Sequence, residues 1–422
     1  MSRGVSRRSF LGRAAGTGLG SVVLLSTPVT AQEGSEEESE GGETETSGVW
    51  GTVVVITLVG GVDALSVVVP HDDPDYYRLR PSIAIQPPGE PNGAIPYVDG
   101  FGLHPAFAPL INETGGEGLA FVKGVGLVDA PRSRSHRASL DGLHRSRGEK
   151  QGFGATLLAG NELSASSAWW FGSDSHRLFR GLPGGVGGRP ALVLSTYQDA
   201  SAAHRALGVA FEEDGPVAAA ARATLTASAR WSGVGWNATG TPSDRGYPPT
   251  DFGESLAGIA DMLRSGDGLH VVAVDQEGYD THRHQGDGSG GVLAVRLDEL
   301  ARGLSSFWSD LGSGADAVSV VVVSEFGRTV HENRRGGTNH GRGGVAMVLD
   351  RAVRPGIHGD QASRGDALRR GALPVTTSVH QILAEVFERR GWSNLEGILA
   401  AGEQRISGLG LYSSIARVDP GG

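Results

Sequence analysis

The sequence predicts an α/β protein with a mainly parallel central sheet flanked by helices and a partly helical insertion or cap. Three observations predict it. Short β-branched runs recur along the chain as continuous apolar stretches, the pattern of strands buried on both faces. Segments with helical spacing lie between them. Strand–helix–strand alternation builds a parallel sheet with helices on both sides.

Composition sets the outer limits. The chain has 422 residues and a formal net charge of -10. Hydrophobic residues make up 39% and charged residues 20%, which is enough apolar material for a packed core. With 67 Gly, glycine is about twice as frequent as usual, but no three-residue period or proline excess points to collagen. The acidic balance argues against nucleic acid as a partner. No Cys is present, which excludes disulfides, thiolate metal sites, thiol nucleophiles and a lipid anchor on Cys.

Residues 1–31 carry Arg3, Arg7, Arg8 and Arg13 and no acid. Ser6-Arg7-Arg8-Ser9-Phe10-Leu11 precedes an apolar stretch from Leu19 to Val29, and Val29-Thr30-Ala31 is a small-residue cleavage site. These features read as a twin-arginine (Tat) export signal, which implies passage through the Tat translocase and a periplasmic or secreted location. The apolar run is too short for a permanent membrane span. Residues 32–48 hold seven Glu with Gly, Ser and Thr and read as an acidic disordered linker. Residues 49–422 form the globular part.

Thr52 to Val59 is the first buried strand and ends in Gly60-Gly61. Leu119–Val122, Ala191–Leu194, His270–Val274 and Val318–Val323 are similar runs. The stretch at about 140–265 is Ala-rich, helical at Ala202–Ala229 and Glu254–Leu263, and reads as the insertion or cap. Leu293, Leu297, Leu300, Leu304, Phe307 and Leu311 step by four and three along one helix face. Val379, Ile382, Leu383, Val386 and Phe387 mark a further helix, with Thr376, Thr377 or Ser378 as its cap.

In open α/β sheets ligands bind beyond the carboxyl ends of the strands. Polar groups gather there. Asp63 follows the first strand. Asp275, Glu277, Asp280 and His282 follow the 270–274 strand. Glu325 and Arg328 follow the 318–323 strand and lead to the loop Arg334 to Gly344, with Asn339 and His340 at its centre. Carboxylate and imidazole without thiolate suit zinc, manganese, calcium or magnesium, and nearby Arg can hold a phosphate or sulfate. Each residue also has a plainer reading. Asp63 can be a turn acid, Asp280 and His282 a solvated loop, and Asn339-His340 a turn that satisfies its own backbone. Glu325 and Arg328 can be a structural ion pair.

Thr57 to Ser66, Val69 to Pro81, Gly102 to Pro109, Arg134-Ser135-His136, Gly278 to His282 and Ser324 to Thr329 resemble the exported "domain of unknown function 1501" proteins. That family is similar to the alkaline phosphatase and sulfatase superfamily. The resemblance implies an alkaline phosphatase-like fold and hydrolysis of a phosphate or sulfate ester at one or two metals. It implies metal roles for Asp63, Asp280, His282, Asn339, His340 and His358. Ser135 becomes the leading nucleophile, and Arg134, Arg328 or Arg342 would hold the anion, Arg328 being taken as the catalytic one; a helix cap remains the alternative for Ser135. The superfamily has Asp where this chain has Asn339, which supplies no charge, so the site would hold one metal or none. A small or polymeric anionic substrate is implied. The alternative is a non-catalytic relative that binds an anionic glycan or an envelope partner.

Overall fold

The structure, a computed structural model, describes residues 51–128, 134–146, 150–163, 167–171, 176–182, 186–187, 240–266, 268–359, 371–399 and 408–413. The expected export signal, the acidic linker, the 191–194 strand and the 202–229 helical stretch lie outside the described residues.

Strand β1 (Thr52–Val59) is built of TVVVITLV and is buried along nearly its whole length. Its β-branched side chains suit a pleated surface packed on both faces. It pairs in parallel with β8 (Val271–Glu277) on one side and β9 (Val318–Val323) on the other. The registers place Thr57 opposite both Asp275 and Val323, so the three strands end together. Beyond β9 lie β10 (Gly344–Leu349), β5 (Leu119–Gly126) and β11 (Gly356–His358). Beyond β8 lie β6 (Ala168–Phe171) and β7 (Val186–Gly187). A short β12 (Thr377–Ser378) joins the end of β5. Among the described residues only β10 is antiparallel to its neighbours in this sheet, so the sheet is mixed but mainly parallel. A small antiparallel sheet, β2 (Val68–Val69), β4 (Phe101–Leu103) and β3 (Ile95–Val98), stands apart.

Helices cover both faces of the large sheet. On one face, the predicted stripe Leu293 to Leu311 is the buried side of α7 (Val292–Leu311), in one apolar cluster with Val54, Ile56 and Leu58. Helix α6 (Asp251–Arg264), capped by Thr250, supplies Leu256, Ile259 and Ala260 to the same cluster. On the other face, α8 (Val379–Arg389) packs its apolar side with Val53 and Val55. Of the three candidate caps, Ser378 does the work: its Oγ accepts from His380 N at 3.2 Å. Within the stretch read as an insertion, the described segments join the main body, since β6 pairs with β8 and α6 packs in the sheet's own core. Among the described residues no helix is long and apolar enough to cross a membrane.

Candidate metal centre

The ends of β1, β8 and β9 bring three loops together. The first turns at Gly60, whose φ is 128°, and a Cβ there would lie 2.2 Å from Asp280 N. Only glycine allows the β1 and β8 loops to approach so closely. The third loop forms a bridge between Arg328 and His340. Helix α4 (His136–His144) begins directly above this point.

Three ligand atoms, from His136, Asp280 and His340, converge there within 4.8 Å of one another, and His282 stands beside two of them. His340 Nε2 lies 3.1 Å from His136 Nε2, 3.1 Å from His282 Nε2 and 3.1 Å from Asp280 Oδ1. Asp280 Oδ1 is also 3.1 Å from His282 Nε2 and 3.6 Å from His136 Nε2. A tetrahedral ion bound at zinc–nitrogen distances separates its ligand atoms by about 3.3 Å. A neutral imidazole nitrogen has one hydrogen or one lone pair, so His340 Nε2 cannot hydrogen-bond to three close neighbours at once. A cation shared by His136, Asp280 and His340 would relieve this crowding, with His282 adjacent to two of the three. The side chains are 24–44% exposed, so an ion here would face solvent on one side.

The outer nitrogen of each ring meets an oxygen. His136 Nδ1 is 2.7 Å from Glu325 Oε1, His340 Nδ1 is 3.1 Å from the Arg134 carbonyl, and His282 Nδ1 is 3.3 Å from Asn339 Oδ1. These acceptors place the hydrogens on Nδ1 and leave the Nε2 lone pairs pointing inward, the arrangement found around metal-ligating imidazoles. The hydrogen bond to Glu325 raises the His136 pKa. Burial raises the Asp280 carboxyl, but its hydrogen bond to Arg328 and the charges around it more than offset this, so it titrates below the usual range. Three imidazoles and one carboxylate fit zinc or manganese; calcium and magnesium prefer all-oxygen shells.

The expected site residues divide. Asp280, His282 and His340 come together. Asn339 stands beside them but turns its amide oxygen to His282 Nδ1 and lies 3.4 Å from Asn333 Nδ2, so it orients a ligand rather than being one. Arg328 is buried and four of its five N–H donors are occupied: one bond to Asp280 Oδ1 at 2.7 Å, one to the Gly60 carbonyl, and two to Thr338. It holds Asp280 in place and has no face free for an anion. Ser135 precedes His136 as the exposed cap of α4, without a side-chain capping bond. Asp63 does not join the group. Arg80 grips both its oxygens, at 2.6 and 3.0 Å, and Ser66 and Gln285 also donate to it. An ion cannot replace those partners without stranding the buried guanidinium. His358 sits on β11 opposite Val122, with Nε2 2.8 Å from the Arg354 carbonyl, and is not among the converging groups.

His136 and Glu325 complete the centre and were not assigned these roles from sequence. His136 lies in the quoted Arg134-Ser135-His136 match, and Glu325 ends a strand beside Asp280's loop. That juxtaposition was the available signal.

A second group, His144, His176 and Asp275, lies below on the α8 face. Here the backbone N–H of Leu178 donates to His176 Nδ1 at 3.1 Å, so Nε2 carries the hydrogen and donates to Asp275 Oδ1 at 2.9 Å. A protonated Nε2 is no metal ligand. This group is a buried hydrogen-bonded pair beside His144 rather than a second centre.

Residues 194–399 match the model of the family described as "Protein of unknown function (DUF1501)". The match contains Asp280, His282, Glu325, Arg328, Asn339 and His340, whereas His136 lies before it. A search of curated proteins found no match to the chain.

Proposed function

We propose that this protein is an exported metal-dependent hydrolase of phosphate or sulfate monoesters. The convergence of His136 and His340 Nε2 with Asp280 Oδ1 at the open end of the sheet, with His282 Nε2 3.1 Å from His340, supports this reading above all else. A divalent ion held by these residues supplies a Lewis acid that polarises the ester and acidifies a water. The chain's own groups do the rest. Glu325, the Arg134 carbonyl and Asn339 fix the three rings, while Arg328 fixes the Asp280 carboxylate. Water adds its oxygen to phosphorus or sulfur, the ester bond breaks, and the alcohol leaves with a proton. The Ser135 hydroxyl, at the positive end of α4 and next to His136, is the candidate for attack in place of water. On this reading residues 1–31 direct the folded protein to the Tat translocase, and Arg7→Lys with Arg8→Lys is expected to abolish export, as read by cell fractionation.

A second reading rests on the same geometry. His282 lies 3.1 Å from both His340 Nε2 and Asp280 Oδ1, and if it turned onto the ion the protein would supply four ligands, as in closed structural sites. On that reading the protein binds an anionic glycan or an envelope partner without turnover. Metal analysis combined with 4-nitrophenyl phosphate and 4-nitrophenyl sulfate turnover separates the two. The hydrolase reading expects metal-dependent release of nitrophenol, which is lost on chelation and restored by adding back the ion. A metal-loaded protein with no turnover of either ester supports the non-catalytic reading.

A further inference from the structure

We propose that Gln285 is a positioning residue for the metal centre: one buried amide sets the spacing between the loop that carries Asp280 and the loop that carries His340. This rests on the metal centre and not on the ester chemistry read from it. Gln285 lies three residues beyond His282 and is fully buried.

Four bonds fix its amide. Nε2 donates to Asp63 Oδ2 at 2.5 Å and to Ser66 Oγ at 3.2 Å. Oε1 accepts from Thr281 Oγ1 and from Thr338 Oγ1, each at 2.8 Å. A primary amide has two N–H donors and two lone pairs, so all four are used. The Asp63 carboxylate only accepts, which settles which end of the amide faces it. Arg80 grips that carboxylate in turn, so the amide stands on a fixed base. The main chain is tied as well. Gln285 N donates to the Gly336 carbonyl at 2.8 Å, and the Gln285 carbonyl accepts from Leu293 N at 3.1 Å, at the start of α7.

The two hydroxyls come from different loops. Thr281 lies between Asp280 and His282, and Thr338 lies two residues before His340. Both are buried. The loops touch here: Thr338 N donates to the Thr281 carbonyl at 3.0 Å, and a Cβ on Gly337 would lie 2.4 Å from that same oxygen. A hydroxyl has one hydrogen. Thr338 gives its hydrogen to Gln285, which leaves lone pairs for Arg328 Nε at 3.1 Å. Arg328 then donates to Asp280 Oδ1 at 2.7 Å. The route runs from amide to hydroxyl to guanidinium to the carboxylate that faces the ion. Without the amide oxygen, a buried Thr338 hydroxyl turns to another acceptor, and its lone pairs turn away from Arg328.

The test is a cobalt(II) titration of the metal-free protein, read by affinity and by the visible absorption band of the bound ion. Urea unfolding of the metal-free protein reads stability separately. Gln285→Met keeps the volume and removes the acceptor. It is expected to weaken cobalt binding roughly tenfold or more and to alter the band. Thr338→Val removes only the linking hydroxyl and should do the same, which keeps the test open if Gln285→Met fails to fold. Combined, the two should cost little more than the worse single change, because both cut one route. Gln285→Glu keeps an oxygen for both hydroxyls, and the new carboxyl shares a proton with Asp63, so most of the affinity should return. Lower stability in Gln285→Met and Thr338→Val with parent-like cobalt affinity and band overturns the positioning role and leaves the metal centre intact. Fully additive losses in the combined variant overturn the route through Thr338. A folded parent that takes up no cobalt overturns the metal centre itself, and this role with it.

Discussion

His136 Nδ1 and Glu325 Oε1 are 2.7 Å apart, with the carboxylate buried and the imidazole half-exposed. The same Oε1 accepts from Gly60 N at 2.9 Å, and Ser324 Oγ donates to Oε2 at 3.0 Å. Glu325 thus ties the first β-strand loop, the third strand's end and a metal-facing imidazole into one unit. Carboxylate partners of this kind raise ligand basicity, and their loss costs about 10–100-fold in metal affinity. Glu325→Gln is expected to fall in that range, as read by competition with a chromophoric chelator.

Gly60→Ala tests the close approach of the loops. The added methyl would lie 2.2 Å from Asp280 N, at a φ that side chains rarely adopt. The β1 and β8 loops must separate, at a cost of roughly 1–3 kcal/mol. Metal affinity should fall with Asp280 intact as a residue, because its carboxylate is moved away from the three rings. Denaturant unfolding and metal titration measure the two effects.

The Asp63–Arg80 pair separates structure from chemistry. Both side chains are fully buried and joined by two bonds of 2.6 and 3.0 Å. Removing one partner of such a pair costs about 3–5 kcal/mol, and Arg80→Met should show this by leaving a buried carboxylate. Burial raises the Asp63 carboxyl, but Arg80's charge and hydrogen bonds bring it below its usual value. Its contribution is therefore present above the unfolded-state pKa and lost as pH falls through the lower folded-state pKa. Asp63→Asn should remove that acid dependence below about pH 4 and leave metal content unchanged.

His104 predicts a second pH effect in a different window. Burial lowers its pKa to about 4 from 6.5. Between those values the unfolded chain binds a proton that the folded chain refuses, so stability declines as pH falls from 6.5 towards 4. The shift corresponds to about 3 kcal/mol. Its Nδ1 accepts from Ala106 N at 3.1 Å, a role that an Asn side chain can also fill. His104→Asn should flatten the stability profile across that window by about one proton, as measured by urea unfolding at pH 4.5 and 7.

Much of the fold was legible because buried strands declare themselves as β-branched runs and α7 as a regular four–three step. The reversed direction of β10 was not, since GVAMVL buries both faces whichever way it runs. The role of β6 was hidden because its four residues, AWWF, are too short for periodicity. Within the site, Asp280, His282 and His340 were legible as polar groups just beyond strand ends. Asp63 met the same description, but its partner Arg80 comes from a turn seventeen residues later, and sequence does not show which cation an acid will face. His136 was masked by its place at a helix start, and Asn339 by its adjacency to His340. Whether a residue touches an ion or orients its neighbour depends on a side-chain rotation that spacing does not encode.

Metal stoichiometry tests the central claim most directly. Protein purified from metal-supplemented culture, desalted and measured by elemental analysis should carry one transition ion per chain. Asp280→Asn and His340→Ala should each lose it, whereas Asp63→Asn and His358→Ala should retain it. A folded parent protein that holds no ion, or Asp280 and His340 variants that hold as much as the parent, would contradict a metal centre at the end of the sheet.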